Sequence, residues 1–330
     1  MTPTTPAATR TDIARALGLR PGDRVCLIGS GGKSTLMSAL AGCFPSLPVL
    51  LGTTTKIFAP SPQSYRAFLD QAAAEDLLCA WAGKRQAPEP GIYLACGRAL
   101  SSGSVQAAST AKPAAPSMQE MHWFCEARNN PQALPPGACA KSVDEAMAAY
   151  KLLPLPHKMY ENLSGHDGPF RLLLLEADGS RMLPLKGWGP QEPVVPDFTT
   201  ATIGVLPVHL LGCPLDSRHV HRWPVFKELS GLREGQALRA DHLAAVISGS
   251  CGLFAHARGR KILFFSQIED AAALDQAGRV VDALPPETLA NLDCIVAGSA
   301  RYGRAIRMQG ADTSGPPQSA RTANAIQEEV

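Results

Sequence analysis

The sequence predicts an α/β fold of the P-loop NTPase type, in which a mostly parallel sheet is flanked by helices and one domain carries an irregular insertion. A glycine-rich loop, residues 29–35, lies between a short apolar run and a stretch with helical periodicity. Further apolar runs, typical of strands buried on both faces, recur after residue 168 and alternate with helical patterns. The chain has 330 residues, 45% of them hydrophobic, which is enough apolar material for a sizeable core.

The N-terminal elements form a β-α-β unit. Residues 1–11 are rich in Thr, Pro and Ala and predict a flexible tail, and residues 12–19 predict a short helix. The apolar run 24–28 predicts a strand, residues 33–41 predict a helix that stops at Gly42, and residues 48–53 predict a second strand. We therefore expect these two strands of a unit of about thirty residues to pair in parallel.

The segment 59–168 predicts an irregular insertion. Within it, residues 92–95 predict a strand, and residues 101–117, rich in Ser, Ala, Pro and Gly, predict a flexible stretch. A capping box, Ser142-Val143-Asp144-Glu145, predicts a helix that runs to about residue 152.

The remaining elements complete one nucleotide-binding domain over residues 12–310. Strands are predicted at residues 170–175, 202–207, 261–265 and 293–296, and helices at 241–247 and 270–283. The polar residues 311–330 predict a disordered tail.

Composition excludes several classes of partner. The formal net charge is +2, and no run of basic residues indicates nucleic acid or lipid headgroups. No apolar stretch approaches the roughly 18 residues that cross a bilayer, and the N-terminus does not resemble a signal peptide. Nine cysteines without a C-x-x-C pair indicate a reducing compartment, so we expect a cytoplasmic protein with no membrane and no nucleic-acid partner.

The glycine-rich loop, Gly29-Ser30-Gly31-Gly32-Lys33-Ser34-Thr35, predicts a phosphate site for ATP or GTP. Its glycines allow backbone N–H groups to approach phosphate oxygens at a helix N-terminus. Lys33 is expected on the terminal phosphates and the Ser34 hydroxyl on Mg²⁺. The loop is shorter than the standard Gly-x-x-x-x-Gly-Lys pattern, and a dinucleotide fingerprint is disfavoured because Ser34 stands where its third glycine belongs.

Two further segments supply predicted catalytic groups at the same edge. The apolar run 172–175 ends in Glu176 and Asp178, which resembles a Walker B element that holds Mg²⁺ and polarises water; the sequence leaves open which carboxylate does which. The second segment is Thr53-Thr54-Thr55-Lys56, whose hydroxyls are expected on metal or γ-phosphate and whose lysine is expected to offset developing charge.

Two more segments bear on the substrate and the base. Asp216, His219, His221 and Arg222 predict a polar loop over the nucleotide or substrate rather than a transition-metal site. The segment Ser266-Gln267-Ile268-Glu269 stands where a GTPase carries Asn-Lys-x-Asp, but it matches by residue class only. The sequence therefore leaves ATP and GTP as alternatives.

Five segments together resemble the YqeC family of selenium-dependent hydroxylase accessory proteins: residues 25–36, 51–58, 173–186, 192–196 and 204–226. The resemblance implies a P-loop-type fold and a role in maturing a molybdenum or selenium cofactor, or in inserting it into a molybdenum hydroxylase. It also marks Thr53, Arg181, Lys186, Asp216, His221 and Arg222, which we interpret as substrate or switch residues.

Three functions follow as alternatives. The first is a Mg²⁺-dependent NTPase that drives cofactor maturation or delivery. The second is an ATP-dependent ligase of the Mur type, which shares a short glycine loop and activates a carboxylate. The third is a nucleotide-gated chaperone without hydrolysis. Selenium chemistry at Cys26, Cys43 or Cys213 is a weaker idea, because no pattern indicates a lowered thiol pKa.

Overall fold

The computed structural model describes residues 11–56, 65–84, 87–97, 100–101 and 150–310. The strands are β1 (Arg24–Gly29), β2 (Pro48–Thr53), β3 (Ala67–Leu69), β4 (Gly91–Ala95), β5 (Leu100–Ser101), β6 (Tyr150–Lys151), β7 (Leu172–Glu176), β8 (Leu185–Lys186), β9 (Ala201–Pro207), β10 (Val220–His221), β11 (Arg260–Ser266), β12 (Cys294–Ser299) and β13 (Arg304–Gly310). The helices are α1 (Thr11–Ala16), α2 (Lys33–Gly42), α3 (Gln71–Lys84), α4 (His157–Ser164), α5 (Trp223–Ser230), α6 (Ala240–Ser248), α7 (Ala271–Asp282) and α8 (Pro286–Ala290).

A nine-stranded sheet organises the molecule, in the order β13-β12-β11-β9-β1-β7-β2-β4-β3. Every neighbouring pair is parallel except β12 and β13, which are antiparallel. Two small sheets pair β8 with β10 and β5 with β6. The predicted α/β fold with a mostly parallel sheet is confirmed. The expected pairing of β1 with β2 is wrong, because β7 lies between them and pairs with both.

Helices cover both faces of this sheet, because its central strands are apolar on both sides. Alternate residues of β1 enter different cores: Val25 and Leu27 pack with residues of α1 and α2, and Cys26 and Ile28 join the core that contains residues of α4 to α7. This division follows the period of two along a strand. It explains why β1, β7 and β9 are continuous apolar runs rather than alternating ones.

Parallel pairing brings the carboxyl ends of three strands together. In the register of the sheet, Glu176 of β7 lies opposite Leu27 of β1 on one side and Thr53 of β2 on the other. The glycine loop after β1, the carboxylates at the end of β7 and the threonines at the end of β2 therefore meet at one edge, where ligands of open α/β sheets bind.

The predicted strands and helices outside the insertion are present, with ends that differ by a few residues. Within the insertion, the described residues form β3, α3, β4, β5, β6 and α4, of which the sequence pattern predicted only β4. The helix predicted to reach residue 152 is wrong at its end, because Tyr150–Lys151 pairs with Leu100–Ser101 as a strand. Most of this helix, most of the stretch 101–117, and the tails 1–10 and 311–330 lie outside the described residues.

The longest helix of the described chain is α3, with 14 residues. Neither α3 nor any other helix in that part of the protein combines the length and the hydropathy that crossing a bilayer requires.

Candidate functional site

The glycine loop has a backbone that only glycine adopts without strain. Gly29, Gly31 and Gly32 have φ angles of 96°, 71° and 132°. A Cβ atom on Gly29 would lie 2.2 Å from the carbonyl oxygen of Val205, and one on Gly31 would lie 2.5 Å from the ring of Pro207. The loop is therefore pressed against β9, which fixes its path from β1 into α2.

The N-terminus of α2 leaves backbone donors available. Gly32 is the N-cap residue, so no side chain caps the helix, and the first turn contains no acidic residue. Such a helix end attracts an anion through its N–H groups and its dipole. Ser30 differs from the rest of the predicted phosphate loop, because its N–H donates to Val205 O at 3.0 Å and its buried hydroxyl has no hydrogen-bond partner among the described residues.

Lys33, the first residue of α2, is buried and points at the two carboxylates. Its Nζ donates to Gly29 O at 2.5 Å and lies 3.2 Å from Asp178 Oδ1 and 3.7 Å from Glu176 Oε1. Burial disfavours the charged amine, but the charges of Asp178 and Glu176 outweigh it and raise the pKa of Lys33. Lys33 is therefore a charged ammonium group at neutral pH.

Glu176 joins the first turn of α2 through Ser34. The Ser34 hydroxyl donates to Glu176 Oε2 at 2.9 Å, which places an exposed hydroxyl oxygen beside a carboxylate at the mouth of the loop. Burial raises the pKa of Glu176, and the charge of Lys33 opposes that effect. Hydroxyl and carboxylate oxygens are the ligands that Mg²⁺ prefers in proteins.

Asp178 is fully buried, and its two oxygens have different surroundings. Oδ2 accepts hydrogen bonds from Gly29 N at 2.9 Å and Trp188 Nε1 at 2.8 Å, and lies 3.3 Å from Lys186 Nζ. Oδ1 accepts no hydrogen bond among the described residues and faces Lys33. One oxygen is anchored to the protein, and the other is directed at the loop.

Lys186 is a fully buried cation behind Asp178. Its Nζ donates to Gly179 O at 2.8 Å and to Glu192 Oε2 at 3.1 Å, and Arg222 makes a two-pronged contact with Glu192 from the other side. Burial of Glu192 opposes its ionisation, but the hydrogen bonds and charges of Arg222 and Lys186 prevail and lower its pKa to about 2. The predicted residues Lys186 and Arg222 are thus brought close to the carboxylates.

The threonine segment is largely engaged by main-chain carbonyl groups. The Thr53 hydroxyl lies 2.6 Å from Thr55 O and 3.0 Å from Glu176 O, and the Thr54 hydroxyl donates to Val194 O at 2.7 Å. The Thr55 hydroxyl is buried without a hydrogen-bond partner among the described residues, and Lys56 is exposed. Of the three predicted hydroxyls, that of Thr55 is the one without a hydrogen bond in the described part of the chain.

The remaining predicted residues are divided between two places. His221 of β10 pairs in register with Lys186 of β8, and burial, with the charges of Arg222 and Lys186, lowers the pKa of His221. Arg181 is exposed and has a φ of 52°. Asp216 instead binds Arg218 and His219 in its own loop.

Trp188, Glu192 and Tyr160 contact the predicted site residues but belong to none of the predicted catalytic or binding motifs. The hydroxyl of the buried Tyr160 accepts from Thr53 N at 3.2 Å and donates to Ala95 O at 3.0 Å, which ties β2 to the end of β4. Its pKa is raised to about 12, chiefly by burial. No sequence motif marks Trp188 or Tyr160, because their hydrogen-bond partners are distant in the sequence and meet them only in the folded chain.

No group of three or more His, Cys, Asp or Glu side chains suited to a metal ion occurs in the described ranges. The seven cysteines located there are all free thiols. Burial raises the pKa of Cys26 to about 12, against a smaller opposing effect of its hydrogen bond with Thr199. This thiol is therefore protonated at neutral pH and a poor nucleophile.

Fold and site together define an α/β protein with a glycine loop, a lysine and two carboxylates at the carboxyl edge of a parallel sheet. The family model described as YqeC protein matches residues 25–224, and the chain belongs to the YqeC family. A relative in Escherichia coli strain K12, described as uncharacterized protein YqeC, is 36% identical over 107 residues, which is 31% of this chain and 42% of that relative. The match thus spans less than half of the relative's length, and no solved structure matches this chain.

Proposed function

We propose that the protein is a Mg²⁺-dependent nucleotide-binding protein of the P-loop type that hydrolyses ATP or GTP. The observation that carries the proposal is the convergence of Lys33, Ser34, Glu176 and Asp178 at the glycine loop. A structural salt bridge alone does not require three glycines of positive φ, an uncapped helix N-terminus and two buried carboxylates at the same place.

The residues present fit both a phosphate chain and a magnesium ion. The free N–H groups of α2 and the ammonium of Lys33 suit phosphate oxygens, and the Ser34 and Glu176 oxygens suit Mg²⁺. A magnesium ion held by Ser34 and Glu176 would supply positive charge against the negative charge that develops on the phosphate oxygens. Asp178 Oδ1, which has no hydrogen-bond donor in the described ranges, would be able to accept a hydrogen bond from a water molecule.

The geometry supports different tasks for the two carboxylates. Glu176, in contact with Ser34, is suited to the metal side of the site. Asp178 is held through Oδ2 by Gly29 N–H and Trp188, so its Oδ1 is preorganised to accept a hydrogen bond from an attacking water. Lys33 then exchanges its contact with Asp178 for phosphate oxygens when nucleotide binds, which frees Oδ1 for this task.

We extend the proposal to a biological role on the family resemblance alone: an accessory factor in maturing a molybdenum or selenium cofactor or in delivering it to a molybdenum hydroxylase. Nucleotide-dependent co-purification of such a hydroxylase with the full chain, compared with and without Mg²⁺ and nucleotide, tests this role. Equal recovery under all conditions contradicts nucleotide-driven delivery but leaves nucleotide binding untouched.

The first experiment is calorimetric titration of ATP and GTP, with and without Mg²⁺, into the wild type, Lys33→Met and the control Lys158→Met. Lys158 is an exposed lysine that is also paired with a glutamate, Glu161. We expect Mg²⁺-dependent binding that Lys33→Met abolishes and Lys158→Met retains. Absence of binding to the folded wild type contradicts the proposal.

A phosphate-release assay on Glu176→Gln and Asp178→Asn separates the tasks of the carboxylates. We expect Glu176→Gln to weaken Mg²⁺-dependent binding, and Asp178→Asn to bind nucleotide but turn it over at least about a hundredfold more slowly, as for loss of a positioned catalytic group. Binding without any phosphate release by the wild type, with a hydroxylase present, would favour the non-hydrolysing chaperone.

A further inference from the structure

A groove of about 400 Å³ has Gln267 in its lining, and Gln267 contacts Gly31 of the glycine loop. The polar residues of its lining follow β11, lie in α7 or follow β9. They are Gln267, Glu269 and Asp270 after β11, Gln276 of α7, and His209 after β9. Neither the sequence motifs of the phosphate site nor the proposed hydrolysis makes use of this groove.

Two hydrogen bonds attach the groove to the glycine loop. Ser266 Oγ donates to Gly31 O at 2.6 Å, and Gln267 Nε2 donates to the same oxygen at 3.0 Å. Gln267 has a φ of 62°, so the chain turns sharply where it leaves β11 for the groove. The groove wall therefore begins at the residues that hold Gly31 in place.

The direction of a bound nucleotide follows from the order of the strands. The carboxylates that receive the terminal phosphate lie at the end of β7, on one side of β1, and the groove lies at the end of β11, on the other side of β1 beyond β9. A phosphate chain that runs along the glycine loop with its terminus at Asp178 points its nucleoside half toward the groove.

The two acidic residues of the groove, Asp270 and Glu269, differ in their hydrogen-bond partners. Asp270 caps α7, since its Oδ1 accepts from Ala273 N at 2.7 Å. Glu269 is exposed and makes no hydrogen bond or ion pair with any residue in the described ranges, so its carboxylate remains an acceptor without a donor. A ligand in the groove is expected to present donors to Glu269.

We propose that this groove binds the base of the nucleotide and selects guanine, with Glu269 as the specificity-determining residue. The Watson–Crick edge of guanine offers two neighbouring donors, N1–H and the N2 amine, to the two oxygens of a carboxylate. Adenine presents its N1 acceptor there, which a carboxylate repels. This inference rests on the proposed nucleotide function and adds the identity of the base.

The test is a competition titration with GTP, ATP and xanthosine triphosphate, each with Mg²⁺, on the wild type, Glu269→Gln and the control Glu228→Gln. Xanthine has a carbonyl oxygen in place of the N2 amine of guanine. The amide introduced by Glu269→Gln can accept from the N1–H of xanthine and donate to that carbonyl oxygen. Glu228 is an exposed glutamate of α5 outside the groove. Far-UV circular dichroism verifies that each variant is folded.

We expect the wild type to prefer GTP over ATP by about tenfold or more, as for one bidentate pair. Glu269→Gln is expected to reduce GTP affinity by a similar factor and to shift preference toward xanthosine triphosphate, and Glu228→Gln to match the wild type. Equal or tighter ATP binding, or an unchanged ratio in Glu269→Gln, overturns the base assignment and leaves the phosphate site standing. Failure of the wild type to bind any triphosphate overturns the proposed function and this inference together.

Discussion

Replacing the buried lysine behind Asp178, Lys186→Met, is expected to destabilise the protein strongly. The methionine keeps most of the volume of the side chain but removes a charge that has no solvent exposure and contacts two carboxylates, Asp178 and Glu192. Removing one partner of a buried ion pair typically costs about 3–5 kcal/mol, because the other charge is left without compensation.

The structure places the expected cost at the lower end of that range. Glu192 keeps its contact with Arg222, and Asp178 keeps Lys33, Gly29 N–H and Trp188, so neither carboxylate is left alone. We therefore expect a loss of about 3 kcal/mol in the free energy of unfolding. The matched control is Lys158→Met, which removes an exposed lysine from its pair with Glu161 and is expected to cost about 1 kcal/mol or less.

Urea-induced unfolding at pH 7, followed by circular dichroism, measures the free energy of unfolding of both variants. A second series repeats this measurement at lower pH. The lowered pKa of Glu192 contributes stability above its ordinary value of 4.5, and this contribution is lost as the pH falls toward about 2. Because Lys186 helps to lower that pKa, Lys186→Met should lose less stability over this interval than the wild type. A cost at pH 7 no larger than that of Lys158→Met would refute the reasoning.

Three further predictions concern the loop, the strand ends and the thiols. Gly31→Ala should abolish nucleotide binding in the calorimeter, whereas Gly212→Ala, with a similar positive φ but open space around its Cβ, should bind like the wild type. Tyr160→Phe removes the hydrogen bonds of its hydroxyl with three buried backbone groups and should cost about 1–3 kcal/mol in urea unfolding. In the native protein a thiol reagent should modify exposed Cys251 but not Cys26, as peptide mapping by mass spectrometry would show.

The parts of the fold that the sequence predicts are those with a strong local signal. The run from Arg24 to Ile28, the glycines and the helical periodicity after Lys33 are contiguous, so one short window contains strand, loop and helix. The edge strand β13 was not predicted, because its seven residues include two arginines and lack a long apolar run. α3 was missed because its alanine-rich sequence has only a weak amphipathic pattern.

The candidate site divides in the same way. Lys33, Ser34, Glu176 and Asp178 were predicted because each follows or precedes a recognisable strand, and parallel pairing makes their meeting a consequence of topology. Trp188 and Glu192 lie in a connection without periodicity, and their contacts depend on how that connection returns to β7. Asp216 was predicted as a substrate or switch residue from its residue type and the family resemblance. Its hydrogen-bond partners are Arg218 and His219 of its own loop.

Glu176 and Asp178 have different surroundings because β7 ends at Glu176. Beyond that residue, the alternation of side chains along a strand no longer predicts where a side chain points. Glu176 and Asp178 are two residues apart, so the alternation of side chains along a strand predicts that both face the same side. Both do contact Lys33, and the sequence gives no reason to assign them different roles. Glu176 is the last residue of β7 and keeps the strand's orientation, which brings it to Ser34. Asp178 lies past that end and is captured through one oxygen by the N–H of Gly29 and the indole of Trp188. The asymmetry that supports separate roles is therefore a property of the tertiary contacts rather than of the spacing.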